Sequence, residues 1–335
     1  MIHNSKKQQR LAQRIVYRQQ SIVRRDIADW QNALRSAGSA SNPRFVRLQE
    51  LYNDIARDAH LASQIQLRKS KTLGADFVIV SPQGKILEKE TSAVANMPVV
   101  SELMNLALDS LFYGITLVEL SPKGLQNIDR RHLDPRNGLV YLEQYDDSGI
   151  PYRQLPQYGK TLIEFCPDPA SLGIYNQAVP HVLYRRFAQA CWSELCEIYG
   201  TPPRYIKTDE QDPQARLDLA STLANTGSAP VFLLGTGEEV GFVPVNNTGG
   251  EVYENLIRVC SNELSLLING AVLGQDTKNG SNAKEETSNS INNQIAFRDQ
   301  YFIEQQFNTT VLPALAAMGL APANVQLKFT AYEDT

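Results

Sequence analysis

Two amphipathic segments of similar length, joined through a short insertion, limit what this chain can fold into. Residues 181 to 199 and residues 251 to 269 each place apolar side chains along one stripe of a helix. Since a helix cannot bury such a stripe alone, we expect the two helices to pack as antiparallel neighbours and to complete their burial against identical copies of the chain. The stripes are Leu183, Phe187, Cys191, Leu195 and Ile198, then Val252, Leu256, Cys260, Leu264 and Leu267.

The insertion between these helices, residues 204 to 249, predicts a strand, a helix over Pro213 to Ala224, and two further strands. A segment this small buries little apolar surface by itself, which favours an oligomer. After the second helix the sequence changes abruptly. Residues 275 to 290 are rich in Asn, Ser, Lys, Thr and Glu and predict a long polar loop, with Asn279-Gly280 as a tight turn at its tip.

The rest of the chain predicts an α+β fold. A basic helical arm is expected in residues 1 to 43, with its helix over 6 to 36, and a mixed body in residues 44 to 180. The body should contain a helix from Phe45 to about Ser70, a β-hairpin around Pro82-Gln83-Gly84 and a helix that ends at Gly114. Short strands are then expected in the sequences ITLVEL, GLQNIDR, GLVYLEQY, IPYRQL and KTLIEF. Helices and strands alternate too little for a doubly wound sheet, and residues 291 to 335 should return to this body as a helix and a strand.

Charge divides the chain unevenly. Residues 1 to 47 carry ten Lys or Arg against two Asp, a balance of +8, so the net charge of −4 leaves −12 for residues 48 to 335. A basic arm on an acidic body indicates an anionic partner at one end, although a solvated helical face explains the same pattern. The basic side chains of the arm that we single out are Lys6, Lys7, Arg10, Arg14, Arg18, Arg24 and Arg25.

Catalytic and metal-binding patterns are weak. With 42% apolar and 20% charged residues the chain is globular in composition, and it has neither a bilayer-length apolar run nor an export signal, which favours the cytoplasm. The four cysteines lack metal or disulfide spacing and are expected to be buried core residues. Four scattered histidines and the absence of a phosphate-binding loop predict no metal, no cofactor and no enzyme. The glycine-rich GTGEEVG at 235 to 241 predicts a hairpin turn instead.

An ordered set of motifs resembles one protein family. Trp192, Glu197 and Tyr199-Gly200-Thr201-Pro202-Pro203-Arg204 resemble the helix end and Tyr-Gly-x-Pro element of Mu-like portal proteins of tailed bacteriophages. Ala271-Val272-Leu273-Gly274-Gln275 is similar to the Leu-Gly-Gln signature of that family. Two earlier segments, Leu51 to Ile79 and Leu106 to Leu120, are similar to its first helices and strands, so the likeness covers residues 50 to 320.

This resemblance implies an elongated, non-enzymatic subunit of a ring, usually of twelve copies, at one capsid vertex through which double-stranded DNA passes. The stem helices would be residues 181–203 and 250–274, the clip 204–249 and the tunnel loop 275–290. The clip would dock the large terminase subunit and then a head-completion or adaptor protein through Arg204, Lys207, Asp209, Glu210 and Arg216. The tunnel loop would contact DNA through Lys278, Asn279, Asn282 and Lys284.

The resemblance also implies a location and further partners. The subunit would belong to the virion, and to the host cytoplasm during assembly, without a membrane. The basic arm would meet the major capsid protein or DNA. Two other hypotheses stay open: a monomeric or dimeric DNA-binding adaptor that uses the basic helix, and a hydrolase built on Asp or Glu pairs.

Overall fold

A computed structural model of the chain describes residues 26–121, 124–143, 146, 148–200, 204–224, 231–234, 248–272 and 282–330. The chain divides into two compact units. One contains residues 1–183 and 261–335, and the other contains residues 184–260. In this described part, no helix combines the length and the apolar character that a membrane span requires.

Helices from distant parts of the chain build one core of the first unit. They are α1 (residues 26–37), α2 (Val46–Ile55), α3 (Ala59–Leu73), the beginning of α6 (Ile174–Gly200) and the end of α8 (Thr248–Asn269). Tyr52 and Leu61 are completely buried there, and so are Leu264 and Ile268 from the end of α8. α1 is part of this core, because its Ala33 and Ala37 are buried and Trp30 Nε1 donates to Asn176 Oδ1 at 3.0 Å.

This core corrects the expectation about the helical stripes. Leu183 of α6 and Leu264 of α8 are buried inside one chain, so at this end the stripes need no second copy. Within the second unit the outcome differs, because Cys260 is buried while Val252 is 63% exposed. The expectation that all cysteines are buried is also wrong. All four are free thiols, Cys166 and Cys191 are half-buried, and Cys196 is exposed on α6.

A single helix was expected over residues 45 to 70, but the chain forms α2 and α3. The break lies at Asp58, whose extended backbone precedes α3 and whose Oδ1 accepts from His60 N at 3.1 Å and Leu61 N at 3.0 Å. An aspartate that caps the first amides of a helix begins that helix anew. The apolar spacing continues across the break and conceals it in the sequence.

A three-stranded antiparallel sheet lies against α5 (Pro98–Tyr113). Its order is β3-β2-β7, formed by β3 (Gly124–Ile128), β2 (Thr116–Ser121) and β7 (Leu162–Phe165). Alternate residues of the central strand point to opposite faces of the sheet. Val118 packs into a core with α5 and the C-terminal helices, whereas Leu117 packs with Leu133 and Tyr152 on the other face.

The C-terminal region forms one long helical run and a strand. α9 (Asn282–Gln306) continues through a π-helical turn (Phe307–Val311) into α10 (Leu312–Ala317). Pro313 in the first turn of α10 lacks an N–H, and the wider π-helical turn precedes it. β10 (Gln326–Phe329) then pairs antiparallel with β1 (Phe77–Val80). On its other edge, Asn308 Oδ1 accepts from Leu327 N and Glu304 Oε1 accepts from Phe329 N, each at 2.7 Å, so two helix side chains replace a third strand.

The predicted hairpin around Pro82-Gln83-Gly84 is reduced to one bridge. Val80 and Ile86 pair, and Leu87 N donates to Ile79 O at 2.8 Å, but the chain then enters helix α4 (Glu88–Ala95). β1 is completed on its opposite edge, where β10 pairs with it along its whole length. Glu88 and Glu90 in the first turn of α4 favour a helix there, since carboxylates are stabilised at a helix N-terminus.

A second small sheet carries shorter strands than the sequence predicts. It has the order β4-β5-β6, formed by β4 (Leu133–Asp134), β5 (Leu139–Val140) and β6 (Ile150–Pro151). Short 3-10 helices cover Arg130–His132 and Tyr152–Gln154, so the strand expected in IPYRQL is wrong beyond Pro151.

The second unit contains the predicted insertion. β8 (Arg204–Lys207) and β9 (Val231–Leu234) pair in parallel, with α7 (Pro213–Ala224) between them in sequence. A parallel pair requires such a crossover connection. The glycine-rich segment 235 to 241 and the last predicted strand of the insertion lie outside the described residues.

A buried carboxylate ties β7 to the 3-10 helix beside it. Arg153 Nε and Nη2 donate to Glu164 Oε2 and Oε1 at 3.0 and 2.6 Å. Tyr152 Oη donates to Oε1 at 2.7 Å, and Tyr158 Oη donates to Oε2 at 2.8 Å. Burial raises the pKa of Glu164, but the hydrogen bonds from Arg153, Tyr152 and Tyr158 outweigh it and hold the pKa below its usual value.

We therefore expect Glu164 to contribute acid sensitivity to folding. A carboxyl with a lowered pKa in the folded state stabilises the fold above its unfolded pKa of about 4.3, and this contribution is lost as the pH falls through the folded pKa. Glu164→Gln should cost about 1–3 kcal/mol at pH 7 and should flatten the loss of stability below pH 4.3. Denaturant unfolding between pH 3 and 7 measures both, with the exposed Glu119→Gln on β2 as control. An unchanged acid limb in Glu164→Gln would contradict this role.

Candidate functional site

A stripe of polar side chains on α3 faces α8 and α9, the helices before and after residues 273–281. His60, Gln64, Arg68 and Thr72 recur every fourth residue, which places them on one face of α3. The end of α8 has the same period in Ser261, Ser265 and Asn269. All three α8 side chains are buried, so the two stripes form a polar seam inside the first unit.

Hydrogen bonds connect the seam at each level. His60 Nε2 lies 2.9 Å from Ser261 O and 3.2 Å from Ser265 Oγ. One turn further along α3, Asn269 Nδ2 donates to Gln64 Oε1 at 2.8 Å and to Gln64 O at 3.3 Å. These bonds satisfy buried polar groups and fix the register between α3 and α8, because a shifted helix would leave them unpaired.

Arg68 joins both flanking helices through one guanidinium group. Its Nε and Nη2 donate to Asp299 Oδ2 and Oδ1 of α9 at 2.7 and 2.8 Å, and its Nη1 donates to Ile268 O in the last turn of α8 at 2.9 Å. The Arg68 and Asp299 side chains are 11% and 5% exposed. A cation at a helix C-terminus also interacts favourably with the helix dipole. Arg68 therefore holds the end of α8 and the middle of α9 together. We call this meeting point of the two helices the base.

Gly270 lets the two helices approach closely at this base. Its φ of +68° favours glycine, and an added Cβ would lie 2.7 Å from Ile291 Cγ2 and 2.9 Å from Ile295 Cδ1 of α9. α8 thus ends against the side of α9. Gly270 therefore lies directly against Ile291 and Ile295, one turn apart on α9.

Of the residues predicted to contact DNA, the structure describes only two. The expected loop of residues 275 to 290 is helical from Asn282 onward, so that Asn282 and Lys284 lie in the first turn of α9. The correction has a physical reason: Ile291 and Ile295 give this otherwise polar stretch an apolar contact with the end of α8. Lys278, Asn279 and the basic arm residues Lys6, Lys7, Arg10, Arg14, Arg18, Arg24 and Arg25 lie outside the described residues.

The predicted clip residues lie around the connection from β8 to α7. Arg204 and Lys207 are on β8, Asp209 and Glu210 are exposed after it, and Arg216 is half-buried on α7. Arg216 Nη1 donates to Glu210 O at 3.3 Å, which brings these two residues together. Among the residues that the structure describes, no group of three or more His, Cys, Asp or Glu could hold a metal ion.

A comparison with models of protein families finds a match over most of the chain. The family model described as the portal protein of Mu bacteriophage matches residues 49–335. The chain therefore belongs to this family of phage portal proteins. The family is structural rather than enzymatic, and it implies an oligomeric, capsid-associated assembly at the portal vertex of the virion. No curated protein matches the chain. Residues 1–48, which include the basic arm and α1, precede the match.

Sequence reasoning missed Arg68 and its seam. The signal was present as two sets of polar residues with a period of four, one in α3 and one in α8. Apolar periodicity alone does not reveal it, because polar residues inside a helical pattern are ordinarily assigned to solvent.

We expect Arg68→Met to loosen the end of α8. Removing the arginine leaves Asp299 as an uncompensated buried charge and should cost about 3–5 kcal/mol. Amide hydrogen exchange in residues 262–272 should rise more than in α5, because Ile268 O also loses its donor. Arg68→Met/Asp299→Leu should recover much of the global stability yet keep the faster local exchange. Arg57→Met, at an exposed position beside α3, is the control. Equal exchange in the wild type and the double variant would contradict the capping role.

Proposed function

We propose that this chain is the subunit of a closed ring at one capsid vertex, and that double-stranded DNA passes through the ring during packaging and ejection. The family match over residues 49–335 carries this proposal. The seam at the end of α8 supports it, since a channel-facing segment needs flanks that hold their position while DNA moves past.

In this proposal the polar segment 275–290 faces the channel, with Lys278, Asn279, Asn282 and Lys284 as DNA contacts. Arg68, Asp299 and Gly270 support it by fixing the place where the segment leaves and rejoins the body. Few cations suit such a role, because each phosphate contact adds salt-dependent affinity and many would arrest sliding. A body with a net charge of −12 over residues 48 to 335 would repel the duplex from all sides of a ring.

The second unit would provide the docking site for the large terminase subunit and later for a head-completion or adaptor protein. Arg204, Lys207, Asp209, Glu210 and Arg216 are the proposed contacts. This unit also exposes Leu217 and Leu219 on α7, with exposed fractions of 62% and 38%. Exposed apolar side chains that are surrounded by polar residues are typical of a surface that meets other proteins.

The basic arm is proposed to contact the major capsid protein or DNA. It lies outside the family match, so its function can be tested apart from the rest of the chain. The fold also sets where the arm can be removed. Ala33 and Ala37 of α1 belong to the core, and removing residues beyond 25 would expose the apolar surface that they cover.

Purified full-length protein should form rings. Electron microscopy should show a closed ring with a central hole, because head-to-tail contacts between identical subunits form rings when the rotation closes. Native mass spectrometry should give about twelve copies, the number that the resemblance to Mu-like portal proteins implies. Varying ionic strength controls for weak association through charge. A chain that stays monomeric at all salt concentrations and protein concentrations tested would overturn the proposal.

Removal of residues 1–25 separates the portal proposal from a DNA-binding adaptor. We expect the truncated chain to keep its rings, because the described contacts of the core begin at α1. The adaptor alternative expects a monomer or dimer whose DNA affinity falls steeply with salt and disappears on truncation. Mass photometry and DNA binding at several salt concentrations measure both properties. Deletion of residues 1–40 should destabilise the fold, because it removes Ala33 and Ala37 from the core, whereas deletion of residues 1–25 should leave thermal stability unchanged.

A further inference from the structure

An open groove runs along α9 beside the β1–β10 sheet in the first unit. Its volume is about 1120 Å³. The apolar part of its lining is Val78, Ala296, Phe297, Tyr301 and Phe329. We call this surface the α9 groove.

The α9 groove is both apolar and basic. Phe297 and Tyr301 lie one helical turn apart and are 66% and 57% exposed, which is unusual for aromatic side chains in a packed unit. Arg298 and Lys328 are exposed in the same lining, and Lys71 is half-buried there. The carboxylate of Glu304, also in the lining, accepts from Phe329 N at 2.7 Å and is thus engaged by β10. The groove suits a partner that offers an apolar side chain beside a carboxylate.

Such a surface occurs elsewhere on the same unit. Leu142 is 74% exposed, and Glu143 beside it is exposed as well. The backbone there is held in shape, because Glu143 N donates to Asp146 Oδ2 at 3.2 Å and the Arg44 guanidinium donates to Asp146 O. We call these two residues the Leu142–Glu143 patch.

We propose that the α9 groove receives the Leu142–Glu143 patch of a second copy of this chain. Leu142 packs against Phe297 and Tyr301, and the Glu143 carboxylate pairs with Arg298 or Lys328. The two surfaces differ and complement each other in charge and in apolar character, as a head-to-tail contact between identical chains requires. This inference rests on the proposed ring, for which it names one contact between neighbours.

Charge reversal tests the contact in the full-length protein. Arg298→Glu/Lys328→Glu should place carboxylates in the groove against Glu143 and raise the protein concentration needed for half-maximal assembly at least about tenfold. Glu143→Arg should have the same effect, because it places a cation against Arg298 and Lys328. Both variants change exposed side chains, so circular dichroism should show them folded. Lys85→Glu/Lys89→Glu and Glu102→Arg make the same charge changes at exposed positions outside both surfaces and should assemble like the wild type.

Mixing the two variants makes the test specific. In a one-to-one mixture each groove finds a patch of opposite charge if the two chains alternate around a ring, so assembly should return, as measured by mass photometry. Variants that assemble like the wild type would overturn the inference, and so would impaired variants whose mixture is not restored. In both cases wild-type rings would leave the proposed function standing. A wild type without rings would instead refute the proposed function itself.

Discussion

The Arg68 guanidinium is the interaction on which the arrangement of the C-terminal half depends. It lies between Asp299 of α9 and the carbonyl of Ile268 in α8, and both ionic side chains are almost fully buried. Removing two charges from water costs several kcal/mol for each ion, so this pair contributes little net stability. Its contribution is selective, because any other placement of α8 or α9 against α3 would leave a buried charge unpaired.

That selectivity explains why three helices from distant parts of the sequence meet in one register. Apolar contacts such as those of Leu264 and Ile268 bury surface without fixing a position along the helix axis. The seam of His60, Gln64 and Asn269 adds directional bonds at each turn. Hydrophobic burial therefore holds the helices together, while the polar seam determines where α8 ends and where α9 passes it.

Sequence reasoning recovered what is local and missed what is distant. The start and end of α5 and the start of α7 follow from Pro98, Gly114 and Pro213, whose backbone constraints act within a few residues. The pairing of β1 with β10 joins Phe77–Val80 to Gln326–Phe329, which are far apart in the sequence, and no local pattern indicates it. The same holds for the seam. Its two polar periods can be read in the sequence, but their juxtaposition depends on tertiary packing, which also buries Leu183 and Leu264 of the two apolar stripes without a second copy.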